Sequence, residues 1–346
     1  MPVPLPGDLP TVRSEIRLMI VPVETPVVLI VFNRPDLAAR MLETVRLVRP
    51  RRLFIIADGP RPGRPGEREL CLATRAALSR VDWPCEVVRD EAEENLGLCR
   101  RIHGGLTRVF EAVDRAIILE DDCLPHPSFF RYCDELLERY ADDPRVGSIA
   151  GNNFLNGRAR TRDSYHFSIF HHSWGWATWR RAYAQLDMGM SLWPRVRDGG
   201  WLIDILGDEE AARFWGARFN NTYEGRLNSW HYRFQLSAWL NGALCAVPNV
   251  NLVSNLGFRP DASTTGFRAG FAGAPVAPMR FPLLHPAFIA PDRVSDRETF
   301  RNRFLAERSP LYWRLLRSTF YALTGRRDTF TLPQQQGRLV PRHGTE

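Results

Sequence analysis

The sequence predicts an α/β protein built on a mostly parallel, doubly wound sheet, and three observations carry that expectation. Short continuous apolar runs recur, as strands buried on both faces require. Segments with apolar residues at helical spacing separate them. The alternation holds over about 120 residues, the pattern of repeated strand–helix–strand units.

Taken in order, Pro26-Val27-Val28-Leu29-Ile30-Val31-Phe32 reads as the first buried strand. Asn33-Arg34-Pro35-Asp36 interrupts it, and Leu37, Met41, Leu42, Val45 and Val48 then mark one face of a helix. Leu53-Phe54-Ile55-Ile56-Ala57 is a second strand ending on Asp58-Gly59-Pro60, a turn signal. A Pro/Gly/Arg-rich loop over 61–69 leads into a helix ending near Arg80, and Val87-Val88 forms a short strand. Ile102, Leu106, Val109, Phe110 and Val113 share one side of a helix predicted over 98–113. Ala116-Ile117-Ile118-Leu119 is another buried strand that stops abruptly in Glu120-Asp121-Asp122. Pro127 opens a helix with Phe130, Cys133, Leu137 and Tyr140 on its apolar face. Beyond it the texture changes. Eight of the ten tryptophans lie between Trp174 and Trp239, Cys245–Val250 reads as a strand, and 258–291 is a Gly/Pro/Ala-rich loop.

All 46 cationic residues among the 346 are arginine, against 39 Asp+Glu. The absence of lysine excludes a P-loop phosphate clamp, a Schiff base and a kinase ATP lysine. GC-rich codon usage accounts for most of the bias, yet the arginine fork also suits phosphate and carboxylate partners. The arginines are scattered among acids and no nucleic-acid-binding motif is present, so nucleic acid is not an expected partner. Six cysteines without a CxxC pair predict reduced, mostly buried thiols. Arg13, Glu15 and Arg17 interrupt any N-terminal apolar run, and no stretch approaches the roughly 20 apolar residues of a membrane span, so a soluble cytoplasmic protein is expected.

Chemistry concentrates at strand ends. Three adjacent carboxylates, Glu120, Asp121 and Asp122, follow a buried strand directly, and open α/β sheets bind ligands at that edge. Their mutual repulsion is relieved by a hard divalent cation, Mn²⁺ or Mg²⁺, which takes the rest of its shell from water and phosphate. Asp58 has the same placement and suits a base N–H or a ribose hydroxyl. Arg34, at the end of the first strand, suits a phosphate or base, and Arg100 and Arg101 add cationic charge.

Val31-Phe32-Asn33-Arg34-Pro35, Asp58-Gly59-Pro60, Asn95-Leu96-Gly97 and the run from Ile117 through Glu120-Asp121-Asp122 to Pro127 together resemble GT-A glycosyltransferases. The resemblance is to a bacterial family related to N-acetylglucosaminyltransferase I of the Golgi. It continues through 173–179 and 248–258, and covers roughly residues 25–265. It implies a Rossmann-like GT-A fold and inverting, metal-dependent transfer from a nucleotide-diphosphate sugar to a glycan or lipid-linked acceptor in polysaccharide biosynthesis. By the same resemblance Asp122 is the metal ligand, while Phe32, Asn33, Arg34, Asp58, Arg101, Glu120 and Asp121 bind the nucleotide-sugar. The implied organisation is an arm over 1–24, a nucleotide-sugar-binding half over 25–150, a Trp-rich acceptor-side half over 151–290 and a C-terminal helical tail over 291–346.

Two departures from the family pattern concern the catalytic base. Where relatives read Trp-Asp-Tyr-Gln, this chain reads Trp230-His231-Tyr232-Arg233, and where they read Asp-Ala-Thr-His-Thr it reads Asp261-Ala262-Ser263-Thr264-Thr265. His231 is the favoured replacement, with an ordinary pKa of about 6.5. Glu224 and Asp261 are the alternatives, and a chain that binds nucleotide-sugar without transferring it is a third account. A sugar nucleotidyltransferase is a further rival, disfavoured by the missing lysine. Trp174, Trp176 and Trp230 are the candidate acceptor residues, because indole faces stack on sugar rings and polar residues adjoin them; His171 and His172 are candidate walls. The segment 309–327 interleaves apolar residues with arginines, a candidate for peripheral contact with anionic lipid.

Overall fold

The computed structural model describes residues 22–258 and 273–305. Their elements run, in chain order, β1 Val27–Val31, α1 Pro35–Val48, β2 Arg52–Ala57, α2 Glu67–Ala77, β3 Glu86–Glu91, α3 Leu98–Ala112, β4 Arg115–Glu120, β5 Cys123–Pro125 and α4 Ser128–Arg139. There follow β6 Val146–Ala150, β7 Tyr165–Ser168, β8 Trp176–Trp179, α5 Arg180–Tyr183, α6 Trp193–Asp198, α7 Trp201–Leu206, α8 Glu209–Tyr223, α9 Trp230–Leu240, β9 Leu244–Pro248, β10 Val253–Asn255 and α10 Arg293–Thr299. A π-helical turn, Phe300–Phe304, continues α10. The expected mixed α/β architecture with a helical C-terminal region is present.

Eight strands form one sheet in the order β3-β2-β1-β4-β8-β6-β9-β7. Its first four strands are parallel, with Val31 beside Ala57 and Ile30 beside Glu120. The alternation of side chains along each strand divides the core in two. Val27, Leu29, Leu53, Ile55, Ile117 and Leu119 face one cluster with α1 and α4. Val28, Ile30, Phe54, Ile56, Ala116 and Ile118 face the other with α3. Helices on both faces are why these strands read as unbroken apolar runs. In α1, Pro35 occupies the first turn, where its missing N–H costs nothing, and Leu37, Met41, Leu42, Val45 and Val48 are buried as their spacing requires.

Across β4 the sheet changes character. β8 runs antiparallel to both β4 and β6, β6 is parallel to β9, and β7 is antiparallel to β9. The sheet therefore continues through the expected boundary at residue 150. β5 leaves the sheet and pairs with β10 in a two-stranded ribbon, Cys123 opposite Asn255. The strand expected at Val87-Val88 extends over six residues, and that expected over 245–250 begins at Leu244 and ends at Pro248. Strands β5, β6, β7, β8 and β10 and helices α8 and α9 go beyond the sequence expectations. All six cysteines are free, and all but Cys85 are buried. No helix among the described residues is long and apolar enough to cross a membrane. The arm over 1–21, Asp261 and the segment 309–327 lie outside the described residues.

Candidate functional site

Parallel β1, β2 and β4 end at one edge of the sheet, and β8, running the other way, begins there: Trp176 pairs with both Ile118 and Ala150. The carboxyl end of β4 therefore meets the Asn33-Arg34 turn, Asp58 and the Trp174-Gly175-Trp176 segment along a single rim. Asp121 and Asp122 occupy the turn between β4 and β5.

A guanidinium bridges the two aspartates. Arg34 Nη1 lies 3.1 Å from Asp121 Oδ1 and 3.2 Å from Asp122 Oδ2. The backbone N–H of Phe32 donates to Asp121 Oδ2 at 3.3 Å, and Asn255 Nδ2 donates to Asp122 Oδ1 at 3.3 Å. Arg34 is the one cation that pairs with this triplet among the described residues. Burial, then Asp122 and Asp121, pushes the Glu120 carboxyl up to about 8 against the pull of Arg34. Burial, then Asp122, pushes Asp121 up to about 7, and burial also raises Asp122. Among the described residues one guanidinium faces three carboxyls in a place of low dielectric, which favours their protonated forms.

That donor chemistry fits a hard divalent cation: carboxylate oxygens dominate, and the one sulfur nearby, the Cys123 thiol 3.7 Å from Asp122 Oδ1, is kept protonated by burial. No group of three or more His, Cys, Asp or Glu that could hold a metal ion is present among the described residues. The fit is to an ion held by one or two carboxylates that completes its shell from phosphate and water. Gly257 shapes the position. A Cβ there would lie 2.0 Å from Asp122 Oδ2, so only glycine lets the ribbon pass this close. Neither Asn255 nor Gly257 stood out as a site residue in the sequence; the β5–β10 pairing that delivers them is visible only in three dimensions.

The other expected nucleotide residues have internal partners. Asp58 accepts from Gly59 N at 2.9 Å, Leu96 N at 2.9 Å, Asn95 Nδ2 at 3.0 Å and Gly97 N at 3.1 Å. Those four bonds occupy a carboxylate's acceptor capacity and staple the Asn95-Leu96-Gly97 loop to the end of β2. Arg101 is likewise internal, its Nε on Ala57 O at 3.1 Å and its Nη2 2.9 Å from Asp90 Oδ1. The Asn33 amide bonds Glu67 at 3.2 Å, and the Phe32 ring lies under the Arg61 guanidinium, 5.4 Å away.

On the Trp-rich side, Trp176 and Trp230 stack on each other at 5.4 Å and are 2% and 4% exposed. The expectation of accessible indole faces is therefore not met at these two positions, where core packing uses both rings. Trp174 is half-buried and packs edge-on to Phe154 and Phe258, with Arg303 5.4 Å from its ring. His231 donates from Nε2 to His171 O at 2.7 Å, and burial pulls it down to about 4. No hydrogen bond or ion pair joins it to the acidic triplet among the described residues. Glu224 is exposed at the end of α8 and pairs with Arg226. His171 is internal, between Ser148 Oγ at 2.7 Å and Ala243 O at 3.2 Å. His172, 3.2 Å from Asn152 O through Nδ1, is held by burial near 3, and its Nε2 has no hydrogen-bond partner among the described residues.

No protein-family model matches the chain, and no curated protein matches it. Among the solved structures that match it weakly are two enzymes. One is a mannosyltransferase from Pyrobaculum calidifontis in complex with GDP-Man and Mn²⁺: 14% identity over 47% of this chain and 46% of the other, TM-score 0.33. The second is a cytidylyltransferase from Leptospira borgpetersenii: 11% identity over 47% of this chain and 64% of the other, TM-score 0.28. In both cases the match spans less than two thirds of the neighbour's length. Likenesses this slight carry no functional weight, which rests on the rim itself.

Proposed function

We propose that the protein is a metal-dependent glycosyltransferase that takes a sugar from a nucleotide-diphosphate donor with inversion. A nucleotide-sugar-using enzyme is the coarser form of the same reading. The observation that supports it most is the largely buried triplet Glu120-Asp121-Asp122 at the carboxyl edge of a parallel sheet, Asp121 buried and its two neighbours half-buried, with one paired guanidinium among the described residues. Asp122, joined by Asp121, is the proposed holder of Mn²⁺ or Mg²⁺. When bound, the ion neutralises charge developing on a leaving diphosphate. Arg34 fixes the two aspartates in place and adds a second positive charge beside the phosphates. Asn255 orients the Asp122 carboxylate from behind, as outer partners of metal ligands do. Asp58 acts indirectly, by holding the 95–97 loop against the rim. Glu120 is the proposed contact to the donor sugar, and Trp174 the proposed acceptor-side face.

His231 is the proposed base. Its Nε2 donates to a carbonyl, so Nδ1 carries the lone pair that accepts the acceptor hydroxyl proton. With its pKa near 4 it is neutral throughout the physiological range, and the rate it supports is flat from about pH 6 to 8. The same low basicity favours a second reading, a nucleotide-sugar-binding protein with little transfer. The acceptor, a glycan or lipid-linked glycan, and a cytoplasmic place of action remain part of the proposal.

A thermal-shift panel of nucleoside diphosphates and their sugars, with and without Mn²⁺, tests the binding reading. Metal-dependent stabilisation by at least one diphosphate, absent in Asp122→Ala, is expected; no response to any of them contradicts it. Product assays on His231→Gln then separate the two readings. A loss of about 10²–10⁴-fold is expected if the imidazole is the base.

A further inference from the structure

At the far edge of the sheet lies a cavity that the acidic rim does not use. Ser168, the last residue of β7, pairs with Cys245 at the start of β9, so β7 ends at the edge opposite Glu120. Between this strand end, the start of α8 and the length of α10 there is a space of about 200 Å³. Pockets for drug-sized ligands run to about 300–1,000 Å³, so this one suits a smaller molecule.

Its floor carries an acid with an open valence. Asp296 is 4% exposed and lines the cavity; Ser168 Oγ donates to its Oδ1 at 2.6 Å, while Oδ2 has no hydrogen-bond partner among the described residues. A buried carboxyl oxygen without a partner costs about 1–3 kcal/mol, so a hydroxyl or N–H supplied by a ligand is favoured there. Its rim carries a row of cations. Arg293, Arg297 and Arg301 all line the opening, four residues apart along α10 and the π turn. Arg293 donates to Ile205 O at 3.0 Å, whereas Arg297 and Arg301 have no ion-pair partner among the described residues. Phe170 and Phe300, 6.5 Å apart and nearly parallel, supply an apolar wall. Asp208 and Glu210 stand across the mouth, and Asp208 also caps α8 by accepting from Ala211 N at 2.8 Å. Guanidinium forks recognise an anionic group, and carboxyl oxygens recognise hydroxyl donors.

We propose that this cavity is a second ligand site, remote from the acidic rim, for a small polyhydroxylated anion of the sugar-phosphate class. The anion meets Arg297 and Arg301, and a hydroxyl meets Asp296 Oδ2. The segment 169–175 runs from this cavity to the start of β8 at the rim. The proposal stands without the transferase reading.

Titration calorimetry with glucose 1-phosphate in the presence of EDTA tests it, with inorganic phosphate and glucose as separate arms. Saturable binding of glucose 1-phosphate is expected, tighter than either fragment. The exposed pair Arg297→Ala/Arg301→Ala weakens it about tenfold or more, and Asp122→Ala leaves it unchanged. Asp296→Asn, which retains an acceptor for Ser168, is expected to weaken glucose 1-phosphate more than inorganic phosphate. Absence of saturable binding overturns the proposal. So does binding that survives the double arginine substitution or is lost in Asp122→Ala, because the ligand then sits elsewhere.

Discussion

The three carboxyl groups at the end of β4, two of them paired with Arg34, make the protein's stability depend on pH. Folding raises Glu120 from an ordinary 4.5 to about 8 and Asp121 from 3.8 to about 7. Acids raised by folding bind protons in the native state that the unfolded chain has released, so their contribution falls as pH rises through that window. Urea unfolding of the metal-free protein is expected to show lower stability at about pH 8 than at about pH 5, with Mn²⁺ restoring most of the loss at the higher pH. A metal-free stability that rises with pH, and ignores Mn²⁺, runs against this account. Asp58 behaves otherwise. Its carboxylate holds four donors, three of them backbone, so Asp58→Ala strands them and is expected to cost about 3 kcal/mol in denaturant titration. The sequence marks Asp58 as a strand-end acid but not as a staple, because its partners lie 37–39 residues away in Asn95, Leu96 and Gly97.

The elements that were legible are those whose burial is symmetrical. β1, β2 and β4 are covered on both faces and stand out as apolar runs, and α1 and α3 bury a single stripe at helical spacing. The short strands β5, β6, β8 and β10 owe their form to partners distant in sequence, with Cys123 opposite Asn255 and Ile149 opposite Ala177. Three to five residues carry no readable period of their own. In α9 every residue from Phe234 to Trp239 is buried, so no polar face marks the helix. The ribbon supports a sharp test. Gly257→Ala drives a methyl into the Asp122 carboxylate and is expected to weaken Mn²⁺ affinity about 10- to 100-fold with the fold retained, as circular dichroism and metal titration will report. The tryptophans divide by element. Trp230→Ala opens the Trp176–Trp230 stack and is expected to cost about 3–5 kcal/mol, whereas Trp174→Ala, on the half-buried approach to β8, lowers acceptor turnover with a smaller loss of stability.

At the scale of the whole molecule, a parallel half supplies the strand ends and an antiparallel half closes onto the same rim through β8. One continuous sheet brings Arg34, Asp58, the triplet and the Trp174–Trp176 segment to a single edge, and sets the Asp296 cavity at the other. The excess of arginine narrows in this setting: among the described residues Arg34 alone bridges the two aspartates, and Arg101 serves the interior. The central claim is that Asp122 and its neighbours bind a divalent cation together with a nucleoside diphosphate. Calorimetric titration of Mn²⁺ into the protein, with and without a saturating nucleoside diphosphate, tests it most directly. The account predicts that the diphosphate tightens Mn²⁺ binding by about tenfold or more, and that Asp122→Asn abolishes this coupling while the protein stays folded. Mn²⁺ binding that is indifferent both to every diphosphate tried and to the loss of Asp122 would contradict it.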